Sequence, residues 1–288
     1  MSTQLDSLRR FLARRERSVH TGGAGNVVVV GGGRGGRGTS SLAALLALVW
    51  AADGHEVLLV DADDNLGVLH LLLGAPAGQG IGVLRDGTAD AEDLVVSVAP
   101  GLGLLTVQPP EADDPAPTGA ERRALVRRLA SLYPRYGRVV IDGGSRLESV
   151  AGACASGAST LLALTAPDRV SLAATHALVK ACTARVPGLD VRIAANRTSA
   201  TEARAAFEIL QEGVVRFLGM DIAFAGAVPE DPDFHAAMGE GATIQDAAAR
   251  AALVPAVREL AGRLHAPAAG PVRYAPQPAL ACSRRKRR

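Results

Sequence analysis

The chain has 288 residues, a formal net charge of +2 and 48% hydrophobic residues, which is enough for the core of one α/β domain with short extensions. The charge is distributed unevenly, because residues 1–20 carry +3 and residues 284–288 carry +5, which leaves −6 for the rest of the chain. An acidic body with two basic ends argues against a general nucleic-acid groove. The three cysteines include no C-x-x-C pair, so no zinc or iron–sulfur pattern is present.

The two ends of the chain differ in character from its body. Residues 1–20 place four apolar side chains on one helical stripe, with arginines elsewhere: Leu5, Leu8, Phe11 and Leu12. A solvated leading helix and a docking helix for a partner or a membrane surface are both open interpretations. Residues 266–288 are proline-rich and basic and are predicted to form a flexible tail, which suits either anionic lipid or water. Because no signal peptide or membrane-spanning run is recognisable, a cytoplasmic protein is expected, with peripheral contact at the inner face of the membrane left open.

The stretch from Asn26 to Ala52 has the pattern of a phosphate cradle. An apolar strand, Val27 to Val30, is followed by a glycine-rich turn and then by a helix that opens at Thr39 and Ser40. Glycines let backbone N–H groups approach an anion, and a helix N-terminus adds partial positive charge. The turn fits G-x-x-x-x-G-K-[ST], except that Thr39 occupies the lysine position.

Apolar segments and helical periodicity alternate along the rest of the chain. The segments predict strands at 56–60, 103–107, 138–141, 160–165, 190–195 and 222–228. They predict helices at 66–74, 80–87, 120–133, 172–183, 202–218 and 244–264, the last broken or kinked at Pro255. This alternation predicts an α/β fold with a doubly wound, mostly parallel sheet and helices on both faces, over residues 26–265.

Acidic residues follow two of these strands. Asp61 and Asp63 come at the end of the second strand, and Asp142 closes the strand 138–141. Ligands of open α/β sheets bind at the carboxyl ends of strands, and an apolar strand that ends in Asp is the Walker B pattern. Ser40, Asp61 and Asp142 are therefore predicted to bind Mg²⁺.

With these pieces placed, the chain resembles the MinD/ParA family of deviant Walker-A ATPases. The family's loop G-K-G-G-V-G-K-T corresponds to residues 33–40, GRGGRGTS, and VLLVDADDNLGVLHLLLG (57–74) is similar to its switch I stretch. YGRVVIDGGSRL (136–147) resembles Walker B with switch II, and LLALTAPDRVSLAATHALVK (161–180) resembles the strand and helix that follow. AANR (194–197) and VPED (228–231) resemble the segments that hold adenine.

The resemblance implies an ATP/ADP site with Mg²⁺. Asp63 would be the switch I aspartate that orients the attacking water, and Arg34 would stand for the signature lysine that reaches across an ATP-dependent homodimer. The implied nucleotide-binding residues are the following: Gly33, Arg34, Gly35, Gly36, Arg37, Gly38, Thr39, Ser40, Asn196, Arg197, Pro229 and Glu230.

Four positions depart from the family pattern. Thr39 replaces the P-loop lysine, Arg34 the signature lysine, Val68 a switch I asparagine and Gly143 the threonine of switch II. A lost lysine contact commonly costs about 1.5–3 kcal/mol in binding, and the loop arginines, Arg34 and Arg37, are expected to compensate in part. These departures predict a nucleotide-binding protein with weak or absent hydrolysis.

Within the family, the residues before the first strand resemble those of flagellar-number regulators of the FlhG type. Residues 3–9, TQLDSLR, are similar to the D-Q-A-x-x-L-R element that in FlhG activates a partner GTPase, FlhF. The resemblance implies a regulator of flagellar placement or number that binds an FlhF-like GTPase through residues 1–20. A ParA-like partitioning ATPase that binds DNA non-specifically, and a scaffold that has lost the nucleotide, are the alternatives.

Overall fold

The centre of the fold is the apolar run that precedes the glycine-rich loop. The computed structural model of the protein describes residues 27–63, 67–76, 90–106 and 128–265. The run forms strand β1, Val27–Gly32, in which every residue is buried. A strand covered on both faces is apolar at every position rather than at alternate ones, and this explains the four consecutive valines.

The described strands form one eight-stranded sheet. The other strands are β2 Val57–Asp61, β3 Val96–Ala99, β4 Leu102–Thr106, β5 Arg138–Asp142, β6 Thr160–Thr165, β7 Asp190–Asn196 and β8 Ala223–Val228. Their order is β3-β4-β2-β5-β1-β6-β7-β8. All neighbouring pairs are parallel except the antiparallel pair β3–β4 at one edge. β1 therefore lies between β5 and β6, and the loop that follows it opens at the middle of one sheet edge.

Eight α-helices lie wholly within the described residues and cover the two faces of the sheet. They are α1 Thr39–Ala52, α2 Leu69–Leu72, α3 Leu147–Cys154, α4 Arg169–Arg185, α5 Ala200–Leu218, α6 Pro232–Gly239, α7 Ile244–Ala248 and α8 Val254–His265. Two apolar cores result: side chains of α3, α4 and α5 pack on one face of the sheet, and those of α1, α7 and α8 pack on the other. None of the helices in the described ranges is both long and apolar enough to cross a membrane.

The α/β fold with a mostly parallel, doubly wound sheet is confirmed, and two details of the prediction are wrong. The helix predicted over 66–74 is formed only by the four residues of α2. In addition, the short antiparallel edge strand β3, which directly precedes β4, was not predicted. The helical region 244–264 is interrupted over residues 249–253, and not at Pro255, which lies in the first turn of α8. Proline is tolerated there because first-turn N–H groups have no partner within the helix.

Two helices, α3 and α6, were not predicted, and their shortness explains why. Each has eight residues, too few to display a helical period in the sequence. The predicted helices 1–20 and 80–87, most of the predicted helix 120–133 and the tail 266–288 lie outside the described residues.

Candidate functional site

The loop between β1 and α1 folds as a glycine-dependent turn against α4. Gly36 and Gly38 adopt φ angles of 76° and 77°, a left-handed conformation that side chains other than glycine's rarely take. Gly38 is also the N-terminal cap of α1. A Cβ atom added to Gly33 would lie 2.4 Å from the carbonyl carbon of Ala174, so only glycine permits this approach to α4.

A side chain from the end of β7 fixes the same loop. Asn196 donates a hydrogen bond from Nδ2 to the main-chain oxygen of Arg37, at 2.7 Å. A Cβ atom added to Gly38 would lie 2.7 Å from this nitrogen, which makes the contact dependent on glycine. Two segments that were predicted to hold opposite ends of a nucleotide are therefore directly joined.

The two arginines of the loop both face Asp168, the residue that caps α4. Arg37 Nη2 lies 2.6 Å from Asp168 Oδ2, and Arg34 Nη1 lies 3.9 Å from Oδ1. Asp168 also accepts hydrogen bonds from the main-chain N–H and the hydroxyl group of Ser171. The bonds from Ser171, with smaller effects of Arg37 and Arg34, lower the pKa of Asp168. Both arginines therefore face a carboxylate of the protein. The sequence predicts that they compensate in part for the missing lysine, and it does not predict this pairing.

Thr39 is the first residue of α1 and is 7% exposed. Its side chain brings a hydroxyl group and no charge into the position where the loop pattern has lysine. The remaining features of the cradle are the backbone of residues 33–40 and the N-terminus of a 14-residue helix.

Asp61 and Asp142 end two paired strands, β2 and β5, and are directly opposite each other in the register. Both are fully buried. Asp61 Oδ2 accepts a hydrogen bond from the N–H of Leu69, and Asp142 Oδ1 accepts one from that of Gly144, each at 3.0 Å. The second oxygen of each carboxylate, Asp61 Oδ1 and Asp142 Oδ2, is buried without a hydrogen-bond partner among the described residues.

Burial dominates the electrostatics of these two acids. It raises the pKa of Asp61 to about 6, against the lowering effect of the bonds from Leu69 and Asp63. It raises the pKa of Asp142 to about 7, against hydrogen bonds from Ser40 and Gly144. Two buried carboxylate oxygens without partners, beside a serine hydroxyl, are the hard oxygen donors that Mg²⁺ prefers. The residues present therefore fit the predicted Mg²⁺ site.

A larger cluster of metal ligands is absent from the described ranges, where no group of three or more His, Cys, Asp or Glu side chains is arranged to hold a metal ion. A cation at this position would therefore depend on Ser40, the two carboxylates and the oxygens of a bound phosphate. This requirement is typical of Mg²⁺ that enters together with a nucleotide.

The segment after Asp142 is in close contact with the loop and with Asp63. The N–H of Gly32 donates to the carbonyl oxygen of Gly144 at 2.9 Å. Gly144 has a φ of 66°, and a Cβ atom there would lie 2.4 Å from Asp63 Cγ. A Cβ atom at Gly143 would lie 3.1 Å from Cα of Val150 on α3. A threonine at position 143, as in the family pattern, would therefore have to fit against Val150, so the glycine is consistent with the close packing of α3.

A cleft of about 340 Å³, including open solvent, lies on the other side of the loop. Gly38, Asn196, Arg197, Val228, Pro229 and Phe234 contribute to its lining. Arg197 has a φ of 57°, a rare conformation for a residue other than glycine, asparagine or aspartate. At the rim, His235 Nε2 lies 3.1 Å from Glu230 Oε1, and Arg197 Nη2 lies 3.3 Å from His235 Nδ1.

The structure thus brings the predicted site residues to one edge of the sheet in two groups. The loop, Ser40, Asp61, Asp63 and Asp142 form one group, and the cleft with Asn196, Arg197, Pro229 and Glu230 forms the other. Asp168 was not predicted from the sequence, although the pattern Asp-x-x-Ser after an apolar strand is a recognisable helix cap.

Together, the sheet order, the glycine loop and the acids on neighbouring strand ends define a fold of the P-loop ATPase type with a deviant Walker-A sequence. The family model described as "Cellulose biosynthesis protein BcsQ" matches residues 25–188, more than half of the chain. The chain belongs to this family, within the MinD/ParA group of P-loop ATPases and close to its FlhG-type members.

Relatives and solved structures agree with this assignment. The chain is 22% identical over 222 residues to the antiactivator FleN of Pseudomonas aeruginosa, covering 77% of this chain and 79% of FleN. It is 24% identical over 153 residues to the flagellum site-determining protein YlxH of Helicobacter pylori, covering 53% of this chain and 52% of YlxH. The septum site-determining protein MinD of Pyrococcus horikoshii, solved with Mg-ADP, superposes with a TM-score of 0.66 at 21% identity, over 83% of this chain and 96% of MinD.

Proposed function

We propose that the protein is a nucleotide-binding regulator of flagellar placement or number. The observation that carries this proposal is the folded glycine loop, which is fixed by Asn196 and lies beside two buried carboxylates with free oxygens. The names of two relatives, an antiactivator FleN and a flagellum site-determining YlxH, support the flagellar pathway.

The residues that would hold the nucleotide lie on both sides of the loop. Backbone N–H groups of residues 33–40 would bind the phosphates, and the cleft beside Asn196, Arg197, Pro229 and Glu230 would hold the base. Ser40, Asp61 and Asp142 would bind Mg²⁺, whose charge would offset that of the phosphates. Asp63, beside Gly144, would orient water at the end of the phosphate chain.

Hydrolysis is proposed to be weak. Phosphoryl transfer depends on positive charge around the transferred group, and the lysine that normally supplies it is Thr39 here. The side chain of Arg37 is paired with Asp168 and is therefore not free to replace that lysine. The phosphates would be bound mainly by neutral backbone N–H donors. These donors stabilise the bound anion, but they do not supply the positive charge that stabilises the transition state.

The signalling output is proposed to be a nucleotide-dependent homodimer that acts on a partner. The side chain of Arg34 is 52% exposed, which is consistent with contact to a second copy. Residues 1–20 would bind an FlhF-like GTPase, and the basic residues 284–288 would add a peripheral membrane contact.

Calorimetric titration with Mg-ATP and Mg-ADP tests the binding step. We expect binding of both nucleotides, and phosphate release far slower than for a family member that has the P-loop lysine. The absence of binding at high micromolar nucleotide would overturn the nucleotide site. Turnover equal to that of a lysine-containing member measured in parallel would overturn the weak hydrolysis.

A pull-down experiment tests the partner. The full chain and a variant with Leu5, Leu8 and Phe11 changed to serine are compared for binding to an FlhF-type GTPase from the same organism. We expect that only the full chain is retained. Equal retention would exclude residues 1–20 as the docking element, and DNA retention at low salt without GTPase binding would favour a ParA-like partitioning protein.

A further inference from the structure

Arg37 joins the phosphate-binding loop to two neighbouring elements at once. Its guanidinium group pairs with Asp168 at the start of α4, and its main-chain oxygen accepts the hydrogen bond from Asn196 at the end of β7. We propose that Arg37 is a positioning residue, which holds the loop in its phosphate-binding shape through these two contacts. The inference rests on the proposed nucleotide site and adds a residue whose role there is indirect.

The geometry supports an indirect role. The side chain of Arg37 is 29% exposed and its Nη2 lies 2.6 Å from Asp168 Oδ2, whereas Arg34 is 52% exposed and 3.9 Å away. Asp168 is itself fixed, because the N–H and the hydroxyl group of Ser171 both donate to it. Arg37 is therefore held by a carboxylate that the helix cap keeps in place.

The position of the Arg37–Asp168 ion pair along the loop determines which part of the loop it holds in place. Arg37 directly precedes Gly38, which caps α1 in a left-handed conformation. The backbone of Gly33, earlier in the loop, lies against Ala174 of α4. An ion pair at Arg37 and a close contact at Gly33 thus attach two points of the loop to one helix, and Asn196 attaches the loop to β7.

Such fixation matters more in this chain than in a loop that contains lysine. With Thr39 at the lysine position, phosphate would bind mainly through backbone N–H groups. Donors of this kind bind an anion well only when they are already aligned, because any ordering on binding costs free energy. The ion pair supplies this alignment before the nucleotide arrives.

A double-mutant cycle tests the inference. Mg-ATP and Mg-ADP are titrated into the full chain and into Arg37→Gln, Asp168→Asn and the double variant. Asparagine at position 168 keeps one acceptor oxygen for the N–H of Ser171, so it remains a good helix cap. It removes the charge and replaces the second oxygen, which accepts from Arg37, by an NH2 donor. We expect each single variant to weaken nucleotide binding by about fivefold, roughly the value of an exposed ion pair. The double variant should bind nucleotide no more weakly than the single variant that has the lower affinity. Arg37→Lys, which keeps the charge, should recover part of the loss.

The matched control is Arg258→Gln. Arg258 is 51% exposed and pairs with Asp53, 40% exposed, at the opposite end of α1. Loss of the Arg258–Asp53 ion pair should leave nucleotide affinity unchanged, while it should lower the unfolding temperature about as much as Arg37→Gln does. An affinity loss that appears equally in the control would show a general loss of stability and overturn the positioning role.

The other outcomes separate this inference from the function on which it rests. Weaker binding by Arg37→Gln but not by Asp168→Asn would mean that Arg37 contacts the phosphates directly. Tighter binding by Asp168→Asn would mean that Asp168 withholds the arginines from the nucleotide. Either result overturns the inference and leaves the nucleotide site intact, whereas the absence of binding by the unaltered chain overturns both.

Discussion

The side-chain amide of Asn196 donates a hydrogen bond of 2.7 Å to the main-chain oxygen of Arg37, which joins the end of β7 to the glycine loop. Asn196 Oδ1 also accepts a hydrogen bond from the N–H of Arg197, at 3.1 Å. One side chain thus fixes the loop and the first residue of the cleft next to it.

Replacing Asn196 by alanine should therefore weaken the binding of both Mg-ATP and Mg-ADP. Loss of a hydrogen bond of this kind costs about 1 kcal/mol, or roughly fivefold in the dissociation constant. Calorimetric titration measures this effect. The matched control is Ser199→Ala, which removes the capping box of α5 nearby and should lower the unfolding temperature without changing affinity. Unchanged nucleotide affinity in Asn196→Ala would contradict this prediction.

Restoring the missing lysine should strengthen nucleotide binding and raise turnover. In Thr39→Lys, an ammonium group enters the cradle, where a charge-assisted hydrogen bond contributes about 1.5–3 kcal/mol, a gain of at least tenfold in affinity. Steady-state phosphate release and calorimetry measure the two effects. Thr39→Gln, with a long but neutral side chain, separates charge from size and should give neither gain. A lysine variant that binds no better than the unaltered chain would show that Thr39 is not in the phosphate cradle.

The strands and the acids at their ends were predictable because their signals are local. Val27 to Val30 and Val139 to Ile141 are short apolar runs, and Asp142 follows the second of them directly. A parallel sheet places the carboxyl ends of such strands along one edge, so the location of Asp61 and Asp142 at the same edge follows from the fold class. Their direct pairing depends in addition on β2 and β5 being neighbours in the sheet.

The contacts around Asp168 were not predictable in the same way. Its pairing with Arg37, 131 residues earlier, depends on the start of α4 lying beside the loop, which no local pattern reports. The same holds for Cys154 of α3 and Cys182 of α4, which are distant in sequence but are both buried in the same apolar core. The position of the break before Pro255 depends instead on how α7 and α8 pack on the sheet, because a first-turn proline and a kinking proline are identical in sequence.

Gly31 should tolerate no larger residue while Val150 is present. A Cβ atom at Gly31 would lie 2.5 Å from Val150 Cγ1, inside a core where both residues are fully buried. Overpacking of this kind costs about 1–3 kcal/mol, so Gly31→Ala should lower the free energy of unfolding by that amount. Chemical denaturation measures it. In a Val150→Ala background the same substitution should cost much less, and an equal cost in both backgrounds would refute the proposed contact.

The raised pKa values of Asp61 and Asp142 make the stability of the nucleotide-free protein depend on pH. For Asp142 the pKa rises from 3.8 to about 7, mainly because of burial. A carboxyl group whose pKa is higher in the folded state binds more protons there, so its stabilising contribution is complete below pH 3.8 and is lost as the pH rises through 7. Asp61 acts in the same direction, with its pKa at about 6.

The unfolding temperature of the nucleotide-free protein should therefore fall between pH 5 and pH 8. A shift of about 3 pKa units corresponds to at most roughly 4 kcal/mol. Asp142→Asn, a neutral side chain of nearly the same shape, should flatten this pH profile. Asp168→Asn serves as the control, because the lowered pKa of Asp168 places its own effect at more acidic pH. Mg-ATP should stabilise the protein more at pH 8 than at pH 5, since ionised Asp61 and Asp142 are the expected Mg²⁺ ligands. If the pH profile of Asp142→Asn were as steep as that of the unaltered chain, the pH dependence would not come from Asp142.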